Sequence, residues 1–401
     1  MKKSLVTMVL VALLFPLLLL AADYNQVLNP GDSITVTGNG DGILQVVQNG
    51  NSATLNFVAN ATTTPTNTAI PTTVIPTPTP TGVQQGIWLS QNEIMALPMS
   101  GSGWDNVKAK AFATWGTANL KDINSQHDVY TLAGALYYAR TGDTVIRTKV
   151  ANAIMSTLET ENGGETLAPS RNIVSYVISA DLINLAQYDT TKNNQYKVWL
   201  TNVRNENLGG RTIITTHTDR PNNWGTHAGA TRVAIARYLG DTVDLAKAAN
   251  VFKGFVGDRT AYAGFKYGEL WWQSNPSLPV GINPKGATIQ GHNVDGVLPD
   301  DQRRGCSFVW PPCKENYAWE ALQGAVVQAQ LLHRAGYDSW NWSDKALLRA
   351  VTWLNITNQY PPNGDDVYIT WIINKAYGST FTTVSPVGIG KNMSFTDFTH
   401  K

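Results

Sequence analysis

Two polar clusters hold the side chains best suited to chemistry. The first, residues 217–238, reads HTDRPNNWGTHAGATRVAIARY. Asp219-Arg220-Pro221 is a turn into a helix start, and Asn222, Asn223 and Trp224 open that helix. Asn223 and His227 are four apart and share one helical face. Amides at a helix N-terminus, with the dipole behind them, suit a carboxylate. Plain N-capping by Asn222 is the alternative use of the same residues. The second cluster, residues 290–320, reads QGHNVDGVLPDDQRRGCSFVWPPCKENYAWE. Arg303 and Arg304 offer bidentate carboxylate recognition, unless Arg303 serves Asp300 or Asp301 as a solvated partner. His292 lies upstream in the same loop. Tyr317 sits near the start of the following helix, where it is a candidate acid or base or a packing residue.

Weaker candidates are His127, which opens the first clear hairpin helix, and Arg171-Asn172, which opens another. They contact substrate if these helix starts line a cleft, and otherwise act as caps. Trp271, Trp272 and Trp310 lie in loop-like stretches, where flat rings make platforms for sugars. Trp319, Trp353 and Trp371 lie within helical patterns and are expected in the core. The histidines are His127, His217, His227, His292, His333 and His400, without HExxH or His-x-His spacing, so no metal or other cofactor is expected.

The elements that must position these groups are mostly helical. Segments such as HDVYTLAGALYYARTGD, GTHAGATRVAIARYLGD and ENYAWEALQGAVVQAQLLHRAG repeat apolar residues at three and four spacing. They stop at "ARTGD", "RYLGD" and "HRAGYD", each a helix end followed by another helix. Each helix can bury its stripe only by packing on neighbours, so a bundle, a solenoid or a closed ring of hairpins is expected over residues 83–401. Ahead of it, residues 1–22 have two lysines, a long apolar run and Ala21-Ala22, the layout of a secretory signal. Residues 23–60 are β-like and marginal for independent folding. Residues 61–82 are a Thr/Pro linker. A secreted or cell-surface location permits a Cys306–Cys313 bridge that would staple one loop.

Composition excludes other classes. The 401 residues are 43% hydrophobic and 15% charged, which rules out a disordered chain or a coiled coil. Thirty Lys+Arg against 29 Asp+Glu leave a formal charge of +1, too small a field to draw in nucleic acid or a membrane surface. The 13 Trp and 15 Tyr fill a large core or line a groove for flat ligands such as sugars.

NNWG before a small-residue helix, then DGVLPDDQRRG, then NYAWEALQGAVVQAQLLHRAGYD, resembles the alginate lyase group of polysaccharide lyases over roughly residues 105–377. NNWGTHAGATR is also similar to the Asn-Trp-Trp segment of hyaluronate and chondroitin lyases. The resemblance implies an incomplete (α/α) toroid and β-elimination on a uronic-acid polymer such as alginate or glucuronan. It implies that Asn222 or Asn223, with Arg304, neutralises the uronate carboxylate, and that Tyr317 is the nearest match to the catalytic Tyr. Trp224 stands where the alginate enzymes have His, which leaves His227 or His292 for that role. The Cys306–Cys313 insertion separates Arg304 from Tyr317 more than in the family. The expected partner is an anionic polysaccharide bound by a monomer, with Trp224, Arg303, His127, Arg171 and Asn172 along the cleft. A glycoside hydrolase would instead need an acid and a base or nucleophile among Glu269, Asp300, Asp301, Glu315 and Glu320. A non-catalytic glycan binder would use the Thr/Pro tract as a display stalk.

Overall fold

The computed structural model describes the strands within residues 33–59 and all of residues 86–401. The chain divides into two compact units, Met1–Ile75 and Pro76–Lys401. The division falls inside the Thr/Pro tract expected over 61–82. The leader at 1–22 and the tract itself lie outside the described residues. In the first unit, β1 (Ser33–Thr37), β2 (Gly42–Asn49) and β3 (Ser52–Ala59) form an antiparallel meander. Its register pairs Ser33 with Val47 and Asn49 with Ser52, matching the β-like reading of this stretch.

The second unit is all-α in character. It opens with α1 (Gln91–Ala96), α2 (Ser102–Phe112), α3 (His127–Thr141) and α4 (Thr144–Met155). Next come α5 (Leu167–Leu182), α6 (Leu185–Tyr188), α7 (Thr190–Val203) and α8 (Ile213–Asp219). Then follow α9 (Asn223–Leu239), α10 (Thr242–Phe255), α11 (Pro299–Gln302) and α12 (Tyr317–Arg334). The last are α13 (Trp342–Thr352), α14 (Ile369–Tyr377) and α15 (Thr396–Thr399). A two-stranded ribbon, β4 (Thr288–Ile289) with β5 (His292–Asn293), lies in the long loop before α11.

The Gly-Asp device marks the hairpins as the sequence suggests. Gly142 and Gly240 close α3 and α9 in left-handed conformation, at φ 76° and 74°. Asp143 then caps α4 by accepting from the amides of Val145 and Ile146, and Asp241 caps α10 by accepting from that of Asp244. Three boundaries differ from the pattern. The helix that Arg171-Asn172 is expected to open breaks at Asn184, whose left-handed backbone (φ 46°) separates α5 from α6. The helix carrying Arg171 starts at Leu167, because Pro169 is tolerated in a first turn and Arg171 falls in the second. The helical run α13 leaves α-geometry at its end in a π turn, Trp353–Thr357.

Burial sorts the helices into two layers. Nearly every residue of α5 is buried, as are Thr226–Ala236 of α9 and most of α12. These helices must therefore be enclosed on all sides. Their packing runs from α2 to α3, α5, α9, α12, α14 and α15, and α15 returns to α2, so the contacts close a circuit. Half-exposed helices cover it: α4 lies on α3 and α5, α7 and α10 on α9, and α13 on α12. The α9–α12 contact is backbone-close. A Cβ at Gly324 would meet the backbone N of His227 at 2.4 Å, so only glycine allows that approach. Among the described residues no helix is long and apolar enough to cross a membrane.

Candidate functional site

The starts of α9 and α12 and the second turn of α5 meet at one carboxylate, and the loop after α11 joins them through Asn223 and Tyr317. Glu320 lies in the first turn of α12, where a negative charge is favoured by the helix dipole. Its Oε2 accepts from Nδ2 of Asn223 at 3.0 Å and from Nη2 of Arg171 at 2.5 Å. Oδ1 of Asn223 faces Nη1 of Arg304 at 3.4 Å. The Arg304 guanidinium lies over the Tyr317 ring, 3.3 Å from its centroid. Tyr317 is the first residue of α12, and its backbone amide donates to Oε1 of Glu315 at 2.9 Å. Arg304 is exposed and Tyr317 half-buried, so both reach the surface, whereas Asn223 and Arg171 form the buried floor.

Two adjacent acids in α11 hold the α9 start. Asp300 accepts from Nδ2 of Asn222 at 2.9 Å, from the amide of Gly268 and from Nε of Arg303. Asp301 accepts from the backbone amide of Asn223 at 3.1 Å. Burial, together with the charge of Asp300, pushes the Asp301 carboxyl well above the usual range. A further acid, Asp366, is 1% exposed and accepts from Nε2 of Gln323 at 2.6 Å. Burial, then Asp365, raises it to about 8, while Arg171 acts against the rise. Burial thus disfavours the charged forms of Asp301 and Asp366, while the Arg171 guanidinium faces Glu320 and that of Arg304 faces Asn223.

Several expected residues take other roles. Asn222 is the α9 N-cap: its Oδ1 accepts from the amide of Trp224 and its Nδ2 is held by Asp300, leaving Asn223 as the amide in the cluster. Arg303 is bound by Asp300 and Glu269, so its donors are already used by protein carboxylates. Asn172 donates to the backbone carbonyl of Asp122 and is 3% exposed, a structural link between α5 and the loop before α3. Trp272 is fully enclosed and donates to the carbonyl of Cys306; it is core, not a platform. Trp271, its neighbour, is 49% exposed.

His227 is also enclosed, at 0% exposure, so it cannot touch a polymer lying in an open cleft. Its Nδ1 is bonded to Oδ1 of Asn392. Burial, then the Arg171 charge, holds the imidazole well below its ordinary value, and therefore neutral. His292 stacks on Trp310 at 4.5 Å, within 9° of parallel, and meets Phe308, so its contacts are with the 306–313 loop. That loop is closed by the Cys306–Cys313 disulfide, which is formed. Trp310 is half-buried beneath this stack, while Trp224 is half-buried with the Arg220 guanidinium 4.5 Å from its ring centroid. His127 opens α3 as expected. It is 6% exposed, its Nδ1 lies 2.7 Å from the Tyr176 hydroxyl, and burial followed by the Lys149 charge lowers it to about 4. Trp319 and Trp353 are core, as their helical positions imply, and Trp371 is half-buried with its Nε1 donating to the carbonyl of Val384.

By type and spacing Glu320 stands out only as a hydrolase carboxylate, and Asn392 and Asp366 do not stand out. Glu320 carried one usable signal, its position three residues after Tyr317 on the same helical face. Asn392 carried none, because it joins the site through the C-terminal segment. No protein-family model matches this chain, and no curated protein matches it either.

Proposed function

We propose that this protein is a secreted polysaccharide lyase that cleaves a uronic-acid polymer by β-elimination. The observation that carries this reading is the chain of contacts in which Asn223 and Arg171 hold Glu320 while Asn223 also meets Arg304, whose guanidinium lies over Tyr317. Arg304 stands at the exposed rim of this cluster, where its guanidinium can receive the carboxylate of a uronate. The circuit of helical hairpins is read as the incomplete (α/α) toroid, with the helix starts of α9 and α12 at its cleft. The apolar leader and the Thr/Pro tract support export.

In this reaction the proton on the carbon next to the carboxylate is barely acidic until the carboxylate charge is neutralised. Arg304, the exposed donor of the cluster, meets the incoming carboxylate, and Asn223, buried beneath it, steadies the guanidinium through its Oδ1. Preorganised donors of this kind stabilise the enolate-like intermediate, and one such donor is worth roughly 100- to 1000-fold in rate. Tyr317, entering the reaction as its phenolate, takes the C5 proton and then gives that proton to the leaving glycosidic oxygen. The C4–O bond breaks as the C4=C5 double bond forms, so one chain end becomes an unsaturated uronate and the other a free hydroxyl. Trp271 and Trp310 would stack on sugar rings beside the cut, and the partner is the anionic polymer alone, bound by a monomer.

The hydrolase alternative needs a free pair of carboxylates. Asp300 and Asp301 are taken up in holding the α9 start, Glu269 pairs with Arg303, and Glu315 caps the Tyr317 amide. This commitment of the acids favours elimination over hydrolysis. The test is incubation of the full chain with alginate, glucuronan, hyaluronan and a neutral glucan, followed by ultraviolet absorbance and reducing-end assays. Unsaturated uronate ends from one of the acidic polymers are expected. New reducing ends without that chromophore would make the protein a hydrolase, and no cleavage of any polymer would make it a glycan binder.

A further inference from the structure

Behind the carboxylate cluster, the C-terminal segment enters the helical core. Asn392 is 0% exposed and sits in left-handed conformation at φ 70°. Its Nδ2 donates to the carbonyl of Ser170, the residue before Arg171, at 3.2 Å. Its Oδ1 meets Nδ1 of His227, one turn beyond Asn223. Its backbone carbonyl accepts from Oγ of Ser175 at 2.7 Å. One side chain thus ties α5, which carries Arg171, to α9, which carries Asn223. The segment is itself anchored: the Tyr368 hydroxyl donates to the carbonyl of Lys391, and Nζ of Lys391 donates to the carbonyl of Ile123.

The bonding fixes proton positions. A backbone carbonyl only accepts, so the amide nitrogen of Asn392 must face Ser170. Its oxygen then faces the imidazole, and His227 must place its proton on Nδ1. The Nε2 lone pair is left buried and without a hydrogen-bond partner, as is the Nε of Arg171.

We propose that Asn392 is a positioning residue of the site: it fixes His227 as the Nδ1–H tautomer and sets the separation of α5 and α9 at which Arg171 and Asn223 meet Glu320. Its effect on catalysis rests on the lyase reading above, whereas its hold on His227 does not. The groups that bear charge toward His227 are Arg171 from α5 and Lys391 from the C-terminal segment, both opposing its protonation.

The experiment uses the full-length protein labelled with nitrogen-15 histidine. Long-range proton–nitrogen spectra should include an enclosed, neutral imidazole with a proton on Nδ1 and a bare Nε2 that is assigned to His227 by its loss in His227→Gln. In Asn392→Leu, checked for retained helicity, this signal should move to the Nε2–H form or to a mixture. With the polymer that the wild type cleaves, the same variant should lose roughly 100-fold in kcat, the scale expected when reacting groups shift by about an ångström. A wild-type His227 protonated on Nε2 would overturn the proposal even if Asn392→Leu fails to fold. So would a folded Asn392→Leu with an unchanged tautomer, or with a changed tautomer and wild-type kcat. If the wild type cleaves nothing, the lyase reading falls, and the tautomer still decides the Asn392–His227 link.

Discussion

Oε2 of Glu320 accepts a hydrogen bond from Nδ2 of Asn223, 97 residues earlier in the chain, at 3.0 Å. The same oxygen is paired with Arg171, whose side chain is 6% exposed. Removing the carboxylate therefore leaves a buried guanidinium with lost compensation. Glu320→Ala should destabilise the protein by about 3 kcal/mol, the scale for breaking a buried pair from one side. Glu320→Gln keeps an acceptor and should cost less. Denaturant unfolding of both variants measures this, and equal stability of Glu320→Ala and wild type would mean that the pair contributes nothing.

Arg304 and Tyr317 reach solvent at the rim of the cluster, and they touch each other. Tyr317→Phe keeps the ring and its contact with Arg304 but removes the hydroxyl that we propose moves the proton. Its turnover on the cleaved polymer should fall roughly 100- to 10,000-fold, with the melting temperature unchanged. Arg304→Lys keeps the charge but loses the planar fork, so it should recover little of the activity lost in Arg304→Ala. Wild-type rates in Tyr317→Phe would remove Tyr317 from the chemistry.

Asp366 gives a pH-dependent stability. Burial raises its carboxyl to about 8 from the ordinary 3.8. Below the ordinary value, both folded and unfolded chains hold the proton. Between the two values the unfolded chain releases it and the folded chain keeps it, so this group's contribution to stability is lost as pH rises toward 8. Asp366→Asn keeps an oxygen for the Gln323 amide and removes the ionisation. Relative to wild type it should gain about 1–3 kcal/mol between about pH 4 and about pH 8. Unfolding curves at the two pH values check this; a constant difference between the proteins would contradict the assignment.

Trp271 and Trp272 are adjacent and should behave oppositely. Trp272 is fully buried against Phe308 and Trp353, so Trp272→Ala should cost about 3–5 kcal/mol. Trp271 is half-exposed, and Trp271→Ala should leave stability within about 0.5 kcal/mol of wild type while raising KM for the polymer. Thermal unfolding together with polymer kinetics separates the two, and an unchanged KM would leave Trp271 without a role in binding.

The helices and their ends were legible along the chain because they depend on near neighbours. Apolar spacing placed α3, α9 and α12, and Gly142-Asp143 and Gly240-Asp241 ended and restarted helices by local backbone and capping chemistry. Asn223, Arg304 and Tyr317 could be singled out because helix starts and paired arginines have a local meaning. The choice between equivalent residues was not local. Asn222 and Asn223, Arg303 and Arg304, and Trp271 and Trp272 are each alike in type and adjacent in sequence. Only packing decides that Asp300 takes Asn222 and Arg303 while their neighbours turn to Glu320 and Tyr317. Burial of His227 and the arrival of Asn392 from 165 residues away are of the same kind. A side chain's type and spacing determine what it can donate or accept, but the partner that takes up that capacity is set by which helices the closed core brings face to face.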